Sequence, residues 1–165
     1  MRKQLYKEIE AALLSILDDN DLQLIQYVDL WNNQVDDAEE CEAFDTPAVF
    51  IEFKSIKWRT LGNKAQEGTV NLTLHIVTKK NASTSNNSQF QDEELDALDL
   101  PDKIFTKLQN VKPTNSSYMV RTDTFFNNKN KELQDTQETY EFTILNTLAS
   151  PKTTQMQITL NTTRE

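Results

Sequence analysis

Residues 47–80 read PAVFIEFKSIKWRTLGNKAQEGTVNLTLHIVTKK, and this stretch decides the fold. Its first half alternates between apolar and other residues with the period of two that a β-strand produces, through Phe53. The apolar positions then resume on the opposite parity, at Ile56 and Trp58. This change of parity predicts one long strand that switches its buried face, either by twist or by a β-bulge.

The second half of the stretch alternates without interruption. Val70, Leu72, Leu74 and Ile76 fall on one side, and the residues between them, including His75, fall on the other. Residues 61–68 lie between the two runs and predict a turn bounded by Gly62 and Gly68. Because a loop this short cannot make a parallel crossover, the two strands predict a long antiparallel hairpin.

Helical spacing of apolar residues appears in two other places. The first predicts an amphipathic helix over residues 2–18, and the second a helix that begins near Asp99 or Leu100, with Asp99 as its N-cap and a short helical turn before it. Three further strands are predicted, at residues 22–31, 118–126 and 139–145. The predicted fold class is therefore α+β, a mostly antiparallel sheet with a long β-hairpin, packed by two α-helices.

The length of 165 residues fits one domain. We predict a single α+β domain over residues 1–150, followed by residues 151–165 as a C-terminal tail or an extra edge strand. Residues 80–94 are polar and of low complexity, which is typical of a mobile loop. Residues 127–135 are also polar and are predicted to be a connection between strands.

The composition excludes several classes of function. A net charge of −9 argues against a surface that grips nucleic acid, because affinity for a duplex comes largely from Lys and Arg that neutralise phosphates. A negative surface suits a channel through which DNA slides without sticking. Two glycines are too few for the phosphate-cradling loops of P-loop or dinucleotide-binding proteins. No window approaches the ~20 apolar residues of a membrane span.

The single cysteine, Cys41, rules out an internal disulfide framework and favours a location in a reducing cytoplasm. The apolar residues near the N-terminus follow helical spacing and are interleaved with Glu8 and Glu10, so the unbroken apolar region of a signal peptide is missing.

Chemical candidates are few. His75 is the only histidine, and a histidine can be a general base or a metal ligand. However, nucleophilic catalysis needs a partner constellation, and Cys41 is distant in an acidic setting. We expect His75 to be a sheet-surface residue touching a neighbouring element or subunit. The acidic residues within 36–45 lack the glycine of an EF-hand loop and predict a solvated loop. We predict no catalytic, cofactor-binding or metal-binding residues.

Two features suggest contact with another surface. Trp31 and Trp58 are of the type that anchors interfaces, although each is equally suited to a core. The cations on or near the hairpin tip stand in an otherwise acidic chain, which suits an acidic neighbouring surface or a second copy of the chain. Ordinary edge-strand charge that blocks aggregation is the alternative. The predicted subunit-contact residues are Lys54, Lys57, Trp58, Arg59 and Lys64.

The order of elements resembles that of phage tail-terminator (tail-completion) proteins of the lambda and siphophage type. The resemblance covers roughly residues 2–148 and is one of pattern, without a catalytic signature. Its cues are the leading amphipathic helix, PAVFIEF, the return strand GTVNLTLHIVTKK, a polar loop, LDLPDKIFTKLQNV as the second helix and YEFTIL as the closing strand. Residues 151–165 have no counterpart in that pattern.

The resemblance implies a structural role. Members form a ring, usually a hexamer, that caps the head-proximal end of the finished tail tube, stops polymerisation and presents a surface to the head. They have no enzymatic activity and no cofactor. The implied partners are further copies of the chain, the major tail-tube protein and head–tail connector proteins, with DNA passing through the lumen and no membrane. The implied location is the virion, after assembly in the host cytoplasm.

We therefore expect a non-enzymatic tail terminator. A head-completion or neck connector protein is a close alternative, because such proteins share the architecture. A small α+β enzyme or ligand-binding domain, using His75 with a nearby carboxylate, is an alternative from another class. Within the leading hypothesis, residues 80–94 are expected to order on docking, as disordered segments can.

Overall fold

A computed structural model describes residues 1–35, 44–80, 84–89, 91, 95–127, 129–130 and 132–151. The described residues form two α-helices and a five-stranded sheet, which confirms the α+β class. In chain order the elements are α1 (Arg2–Leu14), β1 (Tyr27–Leu30), β2 (Ala48–Gly62), β3 (Ala65–Lys79), a 3₁₀ turn (Asp96–Leu98), α2 (Asp99–Gln109), β4 (Val120–Asn127) and β5 (Leu133–Asn146).

The sheet has the strand order β1-β2-β3-β5-β4. The pairs β2–β3, β3–β5 and β4–β5 are antiparallel, as predicted for most of the sheet. The pair β1–β2 is parallel, and it is confined to four residues of each strand. The predicted first strand at residues 22–31 is therefore too long, since only Tyr27–Leu30 follows the edge of β2.

A register shift between Phe53 and Ser55 accounts for the change of parity in β2. The extra residue in β2 reverses which positions point to the helix side, so that Ile56 and Trp58 pack on the same core as Val49. The prediction that the strand switches its buried face is wrong, because the bulge keeps one face of the sheet apolar across the shift.

Strands β2 and β3 are joined by Asn63 and Lys64 alone, and both of these residues have positive φ. Two consecutive residues of this kind form the tight turn that matches the twist of paired strands. The predicted turn at residues 61–68 is therefore too long. Gly68 lies inside β3, where its missing side chain leaves room for the Trp58 ring.

The sheet has two different sides. On the helix side, α1 and α2 cover the apolar residues of β2, β3 and β5, and the enclosed core contains Ile9, Leu72 and Tyr140. The far side carries a smaller apolar cluster around Phe50 and Val77 at one end of the sheet. Trp31 and Phe44 pack on that cluster.

The helices differ from their predictions at their ends. Helix α1 stops at Leu14 although the apolar spacing continues, because the Asp18 carboxylate accepts bonds from the backbone N–H groups of Asn20 and Leu22 and closes a turn. Leu98 occupies the N-cap position of α2. The expectation that Asp99 caps this helix is therefore wrong; Asp99 lies in the first turn.

Strand β5 is twice as long as the predicted strand at residues 139–145. It begins at Leu133, so the predicted polar connection at residues 127–135 is wrong over its last part. Two carboxylates, Asp135 and Glu138, are buried in this segment. A strand with buried charges lacks the apolar alternation that marks a strand in a sequence.

Several predictions fall on residues outside the described ranges. These are the tail or edge strand, of which only residue 151 is described, Cys41, and most of the acidic loop. The predicted mobile loop at residues 80–94 is described only in part. Within the described residues, no helix combines the length and apolarity needed to cross a membrane.

Replacing Gly68 by alanine is expected to lower the free energy of unfolding by about 1–3 kcal/mol, the usual cost of an overpacked site. The new Cβ would lie 2.7 Å from Ile56 Cγ2 and 2.8 Å from Trp58 Cζ3. Urea unfolding followed by circular dichroism measures the effect. Gln66→Ala, on the same strand, is the control with an expected change of about 0.5 kcal/mol or less. Equal losses in the two variants would contradict the overpacking argument.

Candidate functional site

The predicted contact residues lie along the outer part of β2 and its turn. Residues 54–64 hold four cations and no carboxylate, although the chain as a whole has a net charge of −9. Arg59 is paired across the strands with Glu67, at 2.6 Å from Nη2 to Oε1. Lys54 lies 2.5 Å from the Glu52 carboxylate. Among the described residues, Lys57 and Lys64 have no carboxylate within ion-pair distance.

Trp58 differs from the other four predicted contact residues. It is half-buried on the helix side of the sheet and packs on the main core and over Gly68. These contacts lie within the chain. The role of Trp58 in contact between subunits stays a prediction.

Strand β4 forms the opposite edge of the sheet and is unusually exposed. Val120, Phe125 and Phe126 each expose more than half of their surface. The register with β5 places Phe125 opposite Gln137 and Asp123 opposite Thr139, which puts both on the far side. Large apolar side chains at an open sheet edge are typical of a surface that binds another chain.

His75 lies in a buried cluster on the far side, at only 3% exposure. Its Nδ1 is 3.3 Å from Asp135 Oδ2, and its Nε2 is 3.1 Å from Glu52 Oε2. The Trp31 ring is parallel to the imidazole at a centroid distance of 3.6 Å. His75 contacts a neighbouring element, as expected, but it is not exposed on the sheet surface, because Trp31 covers it from outside.

In this cluster the His75 imidazole contacts two carboxylates, and the same contacts block the access of a substrate to it. Burial disfavours ionisation of Glu52, yet hydrogen bonds from Lys54 and His75 outweigh it and hold the pKa of Glu52 below its usual value. With a carboxylate at each ring nitrogen and an indole over its face, His75 lacks a free nitrogen for a substrate. The arrangement fixes the segment at Trp31 to the sheet.

A second buried cluster lies on the helix side, around the fully buried carboxylate of Glu138. Tyr140 Oη donates to its Oε2 at 2.8 Å, and Arg121 Nη1 donates to its Oε1 at 2.9 Å. The Arg121 guanidinium also lies 3.9 Å from the centroid of the Phe105 ring. Burial, helped by the Glu138 charge, raises the pKa of the Tyr140 phenol far above its ordinary value. The cluster connects β5 to β4 and α2.

Concave surfaces offer little chemistry. A broad depression of about 840 Å³ between the end of α1 and α2 is lined by Asp102, Lys103 and Lys107, among others. A cavity of about 240 Å³ is lined in part by Asp135, whose Oδ1 is buried without a hydrogen-bond partner among the residues that the structure describes. Within the described part of the chain, no group of three or more His, Cys, Asp or Glu side chains could hold a metal ion.

No protein-family model and no curated protein matches this sequence.

Sequence reasoning identified His75 but missed the other members of the two buried clusters. Asp135 is the last residue of the predicted connection at residues 127–135, and Glu138 falls between it and the strand predicted at residues 139–145. Arg121 lies in a strand predicted without a role. One signal was available: β3 remains strand-like to residue 78, so a partner strand of similar length must pair with it. That length requires β5 to begin near residue 133.

Replacing His75 by alanine is expected to lower the free energy of unfolding by about 1–3 kcal/mol, because the buried Asp135 carboxylate loses a donor. The fluorescence of Trp31 should also shift to longer wavelength as its ring loses the stacked imidazole. Asn71→Ala, on the same side of β3, is the control. Stability losses of equal size would mean that the two carboxylates do not depend on His75.

Replacing Arg121 by alanine is expected to cost about 3 kcal/mol, because Glu138 would remain as a buried charge without its cation. The double variant Arg121→Ala with Glu138→Gln should lose less than the single variant, since its buried amide is neutral. Chemical denaturation of the three proteins measures the coupling. Strictly additive losses would show that the charge pair is not coupled.

Proposed function

We propose that this protein is a structural component of phage or prophage tail assembly, a tail terminator that forms a ring. The ring caps the head-proximal end of the tail tube, stops its growth and joins it to the head. The observation that carries the proposal is the cationic outer part of β2 with its turn, residues 54–64, which holds four cations and no carboxylate in an acidic chain. Such asymmetry supports contact between copies of the same chain.

Three further features support an assembly role. The described residues have a buried histidine without a free nitrogen, so the one base that sequence reasoning singled out is not available to a substrate. The edge of β4 exposes aromatic residues that suit a partner. The order of helix, strand, paired long strands, helix and two strands is the order on which the resemblance to tail terminators rests.

In this proposal the chain is not an enzyme and uses no cofactor. Its partners are copies of itself in a hexameric ring, the major tail-tube protein and the head–tail connector proteins. The net negative charge supports a lumen through which DNA passes without binding. The site of action is the virion, after assembly in the host cytoplasm, with no membrane involved.

A neck connector or head-completion protein is the close alternative, because it would use the same ring architecture. Cross-linking in virions separates the two roles. A terminator must contact the major tail-tube protein, whereas a neck connector must contact the head.

A small-molecule function for His75 is the alternative from another class. It is favoured by the two carboxylates at the imidazole nitrogens, an arrangement that can tune a base. The Trp31 side chain would have to move away from the imidazole before any such chemistry. If His75→Ala lowers stability and assembly together without loss of any ligand affinity, this alternative fails.

The charge-reversal variant Lys57→Glu with Lys64→Glu is expected to weaken association of the copies at least tenfold, or about 1.4 kcal/mol. Light scattering after size exclusion and electron microscopy of negatively stained particles measure ring formation. Lys3→Glu with Lys79→Glu makes the same change in net charge away from the turn and should assemble normally. A wild-type chain that stays monomeric at high concentration, together with normal tail length after gene deletion, would refute the proposal.

A further inference from the structure

Besides the short outer edge of β1, two strand edges of the sheet have no partner among the described residues. Strand β4 pairs only with β5, and β2 pairs with β1 only as far as Ile51. Beyond that point, residues 52–62 of β2 have β3 on one edge and open backbone on the other. An unpaired edge presents N–H and C=O groups that another chain can join.

The two edges differ in their side chains. The outer part of β2 carries Lys54, Lys57 and Arg59, whereas β4 reads VRTDTFFN and has neither lysine nor proline. The protection of the β4 edge is limited to the irregularity between Arg121 and Asp123 and the charges of these two residues. Phe125 is 57% exposed there. The edge of β4 is therefore the less protected of the two.

The polarity of the strands makes the two edges compatible. Strand β2 is antiparallel to β3, β3 to β5 and β5 to β4, so β4 runs opposite to β2. A second copy displaced along the sheet in the same orientation would place its β2 antiparallel to β4 of the first. Antiparallel pairing of this kind extends the existing ladder.

The side chains on the two edges also complement each other. The register places Lys57 opposite Thr69 and Arg59 opposite Glu67, so both cations lie on the far side. Asp123 and Phe125 of β4 lie on that same side. The registers place Asp123 and Phe125 level with Glu52 and Phe50 of the same copy, so the second copy must also shift along the strands, by about seven residues, for β4 to reach the outer part of its β2. Pairing in that register would bring a carboxylate and an aromatic ring to a pair of cations, where ion pairing and cation–π contact are both favourable.

We propose that the outer edge of β4 in one copy pairs with residues 52–62 of β2 in the next copy of the chain. Asp123 and Phe125 of the first copy then contact Lys57 and Arg59 of the second. The interface is heterologous, so each copy uses both edges and the series closes into a ring when its rotation permits. The inference rests on the proposed function, because it names the contact that holds that ring together.

Two variants test the pairing, each altering one edge through exposed side chains. The β4-edge variant is Asp123→Lys with Phe125→Lys, and the β2-edge variant is Ser55→Glu with Lys57→Glu. Each alone should dissociate at least ten times more readily than the wild type. Mixed in equal amounts, they should associate again, because each supplies the edge that the other lacks. Analytical ultracentrifugation measures both results, and re-association also shows that both variants are folded.

Matched controls carry similar changes elsewhere, Leu22→Lys for the β4 edge and Lys3→Glu for the β2 edge, and should assemble like the wild type. If the β2-edge variant still forms dimers that the β4-edge variant cannot, two β4 edges pair with each other and the inference is wrong. If the wild type forms a ring and both edge variants keep it, the inference fails while the proposed function stands. A monomeric wild type overturns the proposed function itself.

Discussion

Strand β3 is paired along both edges and buried on both sides from Leu72 to Thr78, and the rest of the structure depends on that position. A polar side chain placed there has no access to water and must find its partners inside the protein. Thr73 meets Thr139 across the strands at 3.2 Å, and His75 meets carboxylates on both neighbouring strands. These contacts favour one register of β2, β3 and β5, since a slip of one residue would turn each polar group toward the apolar side.

The two buried carboxylates of β5 also connect the sheet to the other elements. Asp135 faces the far side and Glu138 the helix side, so one strand holds a charge in each layer. Asp135 is connected to β3 and to Trp31 through His75, while Glu138 is connected to β4 and α2 through Arg121. Buried charge pairs add little net stability, because desolvation offsets their attraction. We infer that their main effect here is to specify which strands and helices come together.

The elements with a regular apolar period could be predicted from the sequence, whereas the buried polar residues could not. The apolar period identified both helices and β3, because those elements each bury a continuous apolar stripe. It could not identify the first half of β5, where the partners of the buried Asp135 and Glu138 include His75 and Arg121, 60 and 17 positions away, besides near neighbours. His75 was misplaced for the same reason, since its cover, Trp31, is 44 positions earlier in the chain. The lysines at the turn are local features and were visible from the start.

The buried polar clusters also bear on the edges of the sheet. One end of the far side is closed by Trp31 and Phe44, and the other end carries the exposed cations of β2. The exposed Phe125 of β4 lies on the opposite edge of the sheet, level with His75. Because β3 and β5 are paired over fourteen residues between those edges, the edges cannot move independently by sliding of the strands. A ring requires each copy to present its two contact surfaces at a fixed angle. A sheet whose register is fixed from within by charged side chains meets that requirement better than one held by apolar packing alone, which tolerates slippage.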